Sequence, residues 1–88
     1  MDLRIISLNC HGLNFGVISY IRRLASSTDI FLLQETWLSD VTSSRLGDIS
    51  NDFIYVYSSA MEDKLSNNIL TGRPFGGTAI LVNKRYAH

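Results

Sequence analysis

Asn9 and Glu35 are the residues best placed to do chemistry in this chain. Each closes an apolar run: IISLN at Ile5–Asn9 and DIFLLQE at Asp29–Glu35. A carboxylate at the end of a buried strand is costly to desolvate unless it is paired or holds a cation. One carboxylate with neighbouring carboxamides suits a hard, oxygen-seeking ion. Mg²⁺ fits best (Mn²⁺ is the alternative), because it keeps several waters and takes one or two protein carboxylates plus substrate phosphate. Asn9 would then orient Glu35 or hydrogen-bond a phosphate oxygen. The plainer reading is a solvated glutamate at a strand end and an asparagine that satisfies turn amides.

Other residues carry weaker signals. His11 lies two positions past Asn9 and would share its face if the strand ran on, touching a phosphate or assisting a metal; otherwise it is a surface turn residue. Trp37 and Phe75 sit in loops, where they would stack on a base or sugar, or simply cap the core. Arg73 lies in GRPFGG, which is Gly-rich but has no phosphate-cradling spacing and also reads as a turn entering a strand. Arg22 and Arg23 read as the solvated flank of a helix.

The elements that must position these residues form a β-α-β outline. LRIISLNC reads as a strand, with Ile5 on one face and Ile6 and Leu8 on the other. HGLNFG is a turn, broken at Gly12 and Gly16, with Asn14 as a helix cap. From Phe15 to Ala25 the period is helical, and Val17, Ile18, Ile21, Leu24 and Ala25 share one stripe. Ile30–Leu33 is an unbroken apolar run, suited to a strand buried on both faces. Parallel strands joined this way end at one edge of the sheet, where ligands of open α/β folds collect. That brings Asn9 and Glu35 together.

Further along, Ser39 or Asp40 caps an expected short helix over Val41–Ile49. FIYVY at Phe53–Tyr57 is a third strand, rich in aromatic and β-branched residues. Ser58–Phe75 reads as a long polar loop. Gly76 and Gly77 open a fourth strand, TAILVNK. Every strand carries apolar side chains on both faces, so the sheet needs cover on both sides. One amphipathic helix and one short helix cannot supply it. Either further chain or a partner is expected to provide the second layer; a tiny α/β domain with a greasy face is the alternative.

Bulk properties narrow the classes. The 88 residues make at most one small domain, which buries only about 60–65% of its unfolded surface. At 45% hydrophobic and 18% charged the chain is globular rather than disordered. Its net charge of zero gives no general attraction to nucleic acid or acidic lipid, so phosphate binding must be local. A lone Cys10 excludes an internal disulfide and a Cys-based zinc site, and fits a reducing compartment. Residues 1–10 lack the regions of a secretory signal, and no apolar run reaches the roughly 18–20 residues of a membrane span.

The succession SLNCHGLN, LLQETWL and RPFGGTAILV resembles the endonuclease/exonuclease/phosphatase superfamily. It is most similar to the apurinic-endonuclease-like domain of non-LTR (LINE-type) retrotransposons, from Leu3 to about Lys84. The resemblance implies a four-layer α/β/β/α sandwich, of which residues 1–88 would be the N-terminal half. Glu35 matches the family's metal-binding glutamate and Asn9 its active-site asparagine. Thr36 and Trp37 match a loop near DNA, and His11 and Arg73 join them as candidate nucleic-acid contacts. His11 departs from the pattern, since relatives carry Asp or Asn there. The family's catalytic tyrosine, Asp-x-Asn pair and late Asp-His dyad belong to later segments and have no counterpart here.

The resemblance thus implies a DNA endonuclease that nicks target DNA to prime reverse transcription, with a reverse transcriptase expected downstream and access to the nucleus required. This stretch keeps the metal side of that machinery and lacks the nucleophile side, so it is expected to be inactive alone. Two other readings stand beside it: a non-enzymatic remnant of a retroelement reading frame, and a phosphatase acting on lipid or sugar phosphates.

Overall fold

The computed structural model of the chain describes residues 2–59, 65–66, 69–70 and 76–86. Its centre is a four-stranded mixed sheet. Strand β1 (Ile5–Asn9) runs parallel to β2 (Ile30–Gln34), and helix α1 (Phe15–Ala25) connects them. Strand β3 (Phe53–Ser58) is followed by a short antiparallel pair, β4 (Leu65–Ser66) with β5 (Ile69–Leu70). Strand β6 (Thr78–Asn83) then inserts between β2 and β3, antiparallel to both. The sequence predicts only a loop over residues 58–75. Two-residue strands carry no periodicity, so the β4–β5 pair leaves no trace in the sequence.

Helix α1 forms over the predicted span for local reasons. The Asn14 side chain accepts the Val17 N–H at 3.0 Å, and Arg22 and Arg23 in the last turn complement the carbonyl end. After Ala25, Thr28 Oγ1 donates to the Leu24 carbonyl at 2.7 Å, which closes the helix, and β2 begins two residues on. The expected helix over 41–49 is instead a 3-10 turn at Ser43–Asp48. Ser39 and Asp40 are not its caps: Thr42 holds the cap position without a capping side-chain hydrogen bond, and its hydroxyl bonds back to Ser39 instead. Two serines and Gly47 in six residues favour the tighter, shorter form.

One face of the sheet is covered. Phe31, Leu33, Ala79, Leu81 and Phe53 are buried with Ile18 and Ile21 of α1, Leu46 and Ile49 of the 3-10 segment, and Leu13 and Leu38 from the loops. The Phe31 and Phe53 rings pack at 5.5 Å between centroids, tilted by 52°. Arg22 Nε donates to the Asp48 carbonyl at 2.7 Å and pins the 3-10 turn to the helix.

The other face is open. The register stacks Ile5, Ile30, Val82 and Ile54 in one row, and Ser7, Leu32, Ile80 and Val56 in the next. Val56 is 65% exposed and Ile5 53%, with Ile54 and Ile80 also exposed. Among the described residues, the elements therefore supply a single layer of cover. A third row, Asn9, Gln34, Thr78 and Ser58, ends the sheet in polar groups.

At the opposite edge Asp29 immediately precedes β2. Its buried carboxylate accepts the Arg4 N–H at 2.8 Å and pairs with the Arg85 guanidinium. The Arg4 amide, outweighing burial and helped by Arg85, holds this carboxyl below its ordinary 3.8. A depressed folded value adds stability above the unfolded value, and that stability is lost as pH falls through the folded one. Asp29→Asn is expected to lower the melting temperature at pH 7 and to flatten its fall below pH 4. Melts at pH 7, 4 and 3 check this; parallel curves for both proteins would contradict it.

Candidate active site

The carboxyl edge of β1 and β2 is built by backbone lacing. Asn9 pairs with Gln34, the Cys10 N–H donates to the Gln34 carbonyl at 2.8 Å, Gly12 to Glu35 at 2.8 Å and Leu13 to Thr36 at 2.9 Å. On the other side, the Thr36 and Trp37 N–H groups donate to the Gly77 and Gly76 carbonyls at 3.2 and 3.0 Å. Three segments far apart in sequence, 10–13, 34–37 and 76–77, thus form one knot. Burial pushes the Cys10 thiol up to about 11, so it serves this knot as an inert apolar group.

The knot demands unusual backbone. His11, Glu35 and Trp37 have φ of 47°, 52° and 58°, the positive values found at non-glycine residues among those described. Gly12, Gly76 and Gly77 are also positive, at 93°, 69° and 88°. Left-handed conformations cost an L-residue roughly 1–2 kcal/mol each, and such strain gathers where a site requires a fixed geometry.

Glu35 occupies the centre. Half-buried, it follows β2 directly, and its Oε2 accepts the Gly76 N–H at 2.5 Å and the Trp37 indole N–H at 3.2 Å. The sequence leaves Asn9 to orient Glu35, to bond a phosphate oxygen or to satisfy turn amides. Asn9 Oδ1 accepts the His11 N–H at 3.1 Å, as the turn-amide reading expects, and it is Gly76 and Trp37 that hold the glutamate. The Gly76 amide escaped the sequence reading because a main-chain donor has no letter of its own. The one available signal was the glycine pair before β6.

The remaining candidates divide. His11 is exposed, and its ring lies 4.7 Å from that of Trp37 at 58°. Trp37 is half-buried against the knot. Thr36 is 2% exposed and offers no surface to a nucleic acid; its place is packing, with Oγ1 close against Gly77. Arg73 and Phe75 lie outside the described residues. No group of three His, Cys, Asp or Glu side chains that could hold a metal occurs among the described residues.

Glu35 and Asn9 nonetheless offer oxygen ligands of the kind a hard cation takes. Oε2 of Glu35 is fixed by two N–H donors, which leaves Oε1 for a hard cation, and the Asn9 carboxamide stands at the same edge. The arrangement supplies one carboxylate.

The fold has a solved counterpart. It matches the crystal structure of the AP endonuclease LMAP from Leishmania major with a TM-score of 0.63 at 20% identity. The chain folds like part of an AP endonuclease. The match covers 93% of this chain and 24% of that one, so the chain spans about a quarter of that enzyme's length. The likeness is one of fold: a mixed sheet of four strands with flanking helices. No family model matches the sequence, and no curated protein matches it. No helix among the described residues is long and apolar enough to cross a membrane.

Proposed function

We propose that residues 1–88 are the N-terminal part of a Mg²⁺-dependent phosphodiesterase domain, a DNA endonuclease of the retroelement type that nicks its target for reverse transcription. The observation that carries this reading is the strained edge, where Gly76 and Trp37 fix the Glu35 carboxylate. Fold likeness to an AP endonuclease supports the same reaction class. The open apolar face, rows Ile5 to Ile54 and Leu32 to Val56, is where the second sheet of a four-layer sandwich would pack.

A Mg²⁺ ion held by Glu35, with Asn9 beside it, would polarise the scissile phosphate and offset charge on the leaving oxygen. Glu35 supplies the anionic anchor; Gly76 and Trp37 stop its carboxylate from turning away. Asn9 presents its amide N–H₂ toward a phosphate oxygen while its own oxygen holds the His11 turn. His11, exposed on Trp37, borders the path of the nucleic-acid backbone. Activation of water falls to residues elsewhere in the parent protein.

Supercoiled plasmid with Mg²⁺ tests the proposal. The 88-residue chain is expected to leave it intact. The parent protein is expected to nick it and leave a 3′-hydroxyl, with Glu35→Ala slowing the reaction about 10²–10³-fold, the usual loss for an electrostatic group at a transition state. Efficient nicking by the chain alone that vanishes in Glu35→Ala would contradict the split. Turnover of inositol phosphates but not DNA would favour a phosphatase.

A further inference from the structure

The pocket between the start of α1 and the 3-10 turn has no role in the site above. We infer that it is a nucleobase subsite beside the phosphate-handling edge; the inference rests on the nucleic-acid reading just given. The pocket measures about 130 Å³ and is lined by Leu13, Asn14, Phe15, Ile18 and Arg45. An apolar cavity of about 150 Å³ accepts one benzene-sized ring. Size therefore admits a single planar ring.

Its walls suit a base. Leu13 and Ile18 are buried and give an apolar floor. Phe15 is 85% exposed, the most exposed large hydrophobic residue among those described, and takes no part in the core cluster. Helix α1 does not need it, since Asn14 already caps that end. The exposed Arg45 offers a guanidinium, which stacks on π-systems and attracts phosphate. Asn14 Oδ1 is committed to Val17, which leaves its N–H₂ to donate to an acceptor on a base edge. No acidic residue lines the pocket, as a polyanion requires.

Position links the pocket to the site. The Leu13 N–H is bonded to the carbonyl of Thr36, the residue after Glu35. A strand with one base on Phe15 would therefore run past the Glu35 edge.

The test uses the 88-residue chain and a single-stranded oligonucleotide carrying 2-aminopurine, without metal. Wild-type protein is expected to quench the probe on binding. Phe15→Ala weakens binding about tenfold and removes the quench, the loss expected for one base–aromatic stack. Phe15→Trp keeps both. Phe15→Leu retains apolar bulk without the ring and behaves as Phe15→Ala. All variants keep the wild-type melting temperature, because the side chain lies outside the core. Unchanged affinity in Phe15→Ala overturns the subsite. So does full binding by Phe15→Leu, which would mark a merely greasy contact of the kind a peptide makes. Tight binding that ignores Phe15 sinks the subsite alone, whereas no binding by wild-type protein sinks the nucleic-acid reading with it.

Discussion

Gly77→Ala lowers the melting temperature by more than about 10 °C. At φ of 88°, a Cβ on residue 77 would lie 2.6 Å from Thr36 Oγ1 and 3.5 Å from the Ser58 carbonyl oxygen and the Trp37 nitrogen. Thr36 is buried and β-branched, so its hydroxyl cannot swing clear. The backbone strain costs roughly 1–2 kcal/mol and the overpacking another 1–3 kcal/mol. About 3 kcal/mol is a large part of the roughly 4–13 kcal/mol expected for a domain of this length. Each kcal/mol moves the midpoint of so small a domain by about 4–8 °C. Gly47→Ala is the control: its Cβ meets only Tyr55, at 4.0 Å, and an added methyl there is expected to be neutral or slightly stabilising. Circular-dichroism melts of the three proteins decide the matter. Equal midpoints for Gly77→Ala and Gly47→Ala would mean that the knot at the sheet edge does not hold the fold.

That knot also marks the limit of what the residues reveal on their own. Strand β1, helix α1 and strand β2 were legible because their apolar periods are clean and Asn14 and the Ser-Ser-Thr run punctuate them. The convergence of Asn9 and Glu35 on one edge followed from the β-α-β rule alone. The insertion of β6 between β2 and β3 was not legible, because strand order depends on long-range pairing that local pattern does not encode. The support of Glu35 was hidden for a related reason. It comes from a main-chain amide 41 residues away and from an indole two residues on, so a search among polar side chains pointed to Asn9 instead. The open face was foreseen from two-sided strands, and Val56 and Ile5 now mark it.

Glu35→Gln is expected to weaken Mn²⁺ binding by at least about tenfold, the loss that even outer partners of a metal ligand produce, while the fold survives. Mn²⁺ stands in for Mg²⁺ because both prefer hard oxygen ligands. The substitution keeps an oxygen acceptor for the Gly76 and Trp37 N–H groups and removes only the charge. Glu35→Ala removes the acceptor as well, and leaving these donors without it costs about 1–3 kcal/mol. The two variants should therefore separate: Gln loses the ion alone, and Ala loses the ion together with stability. Loss of stability in both, with Mn²⁺ affinity unchanged, would make Glu35 a structural acceptor.

Manganese titrated into the ¹⁵N-labelled chain gives the most direct reading. The indole N–H of Trp37, the only tryptophan, and the amide of Gly76 both touch the Glu35 carboxylate. Their resonances should broaden first, followed by the side-chain amide of Asn9, and all should stay sharp in Glu35→Gln. Broadening that begins elsewhere in the chain, or that is identical in wild type and Glu35→Gln, would contradict a cation site at this edge.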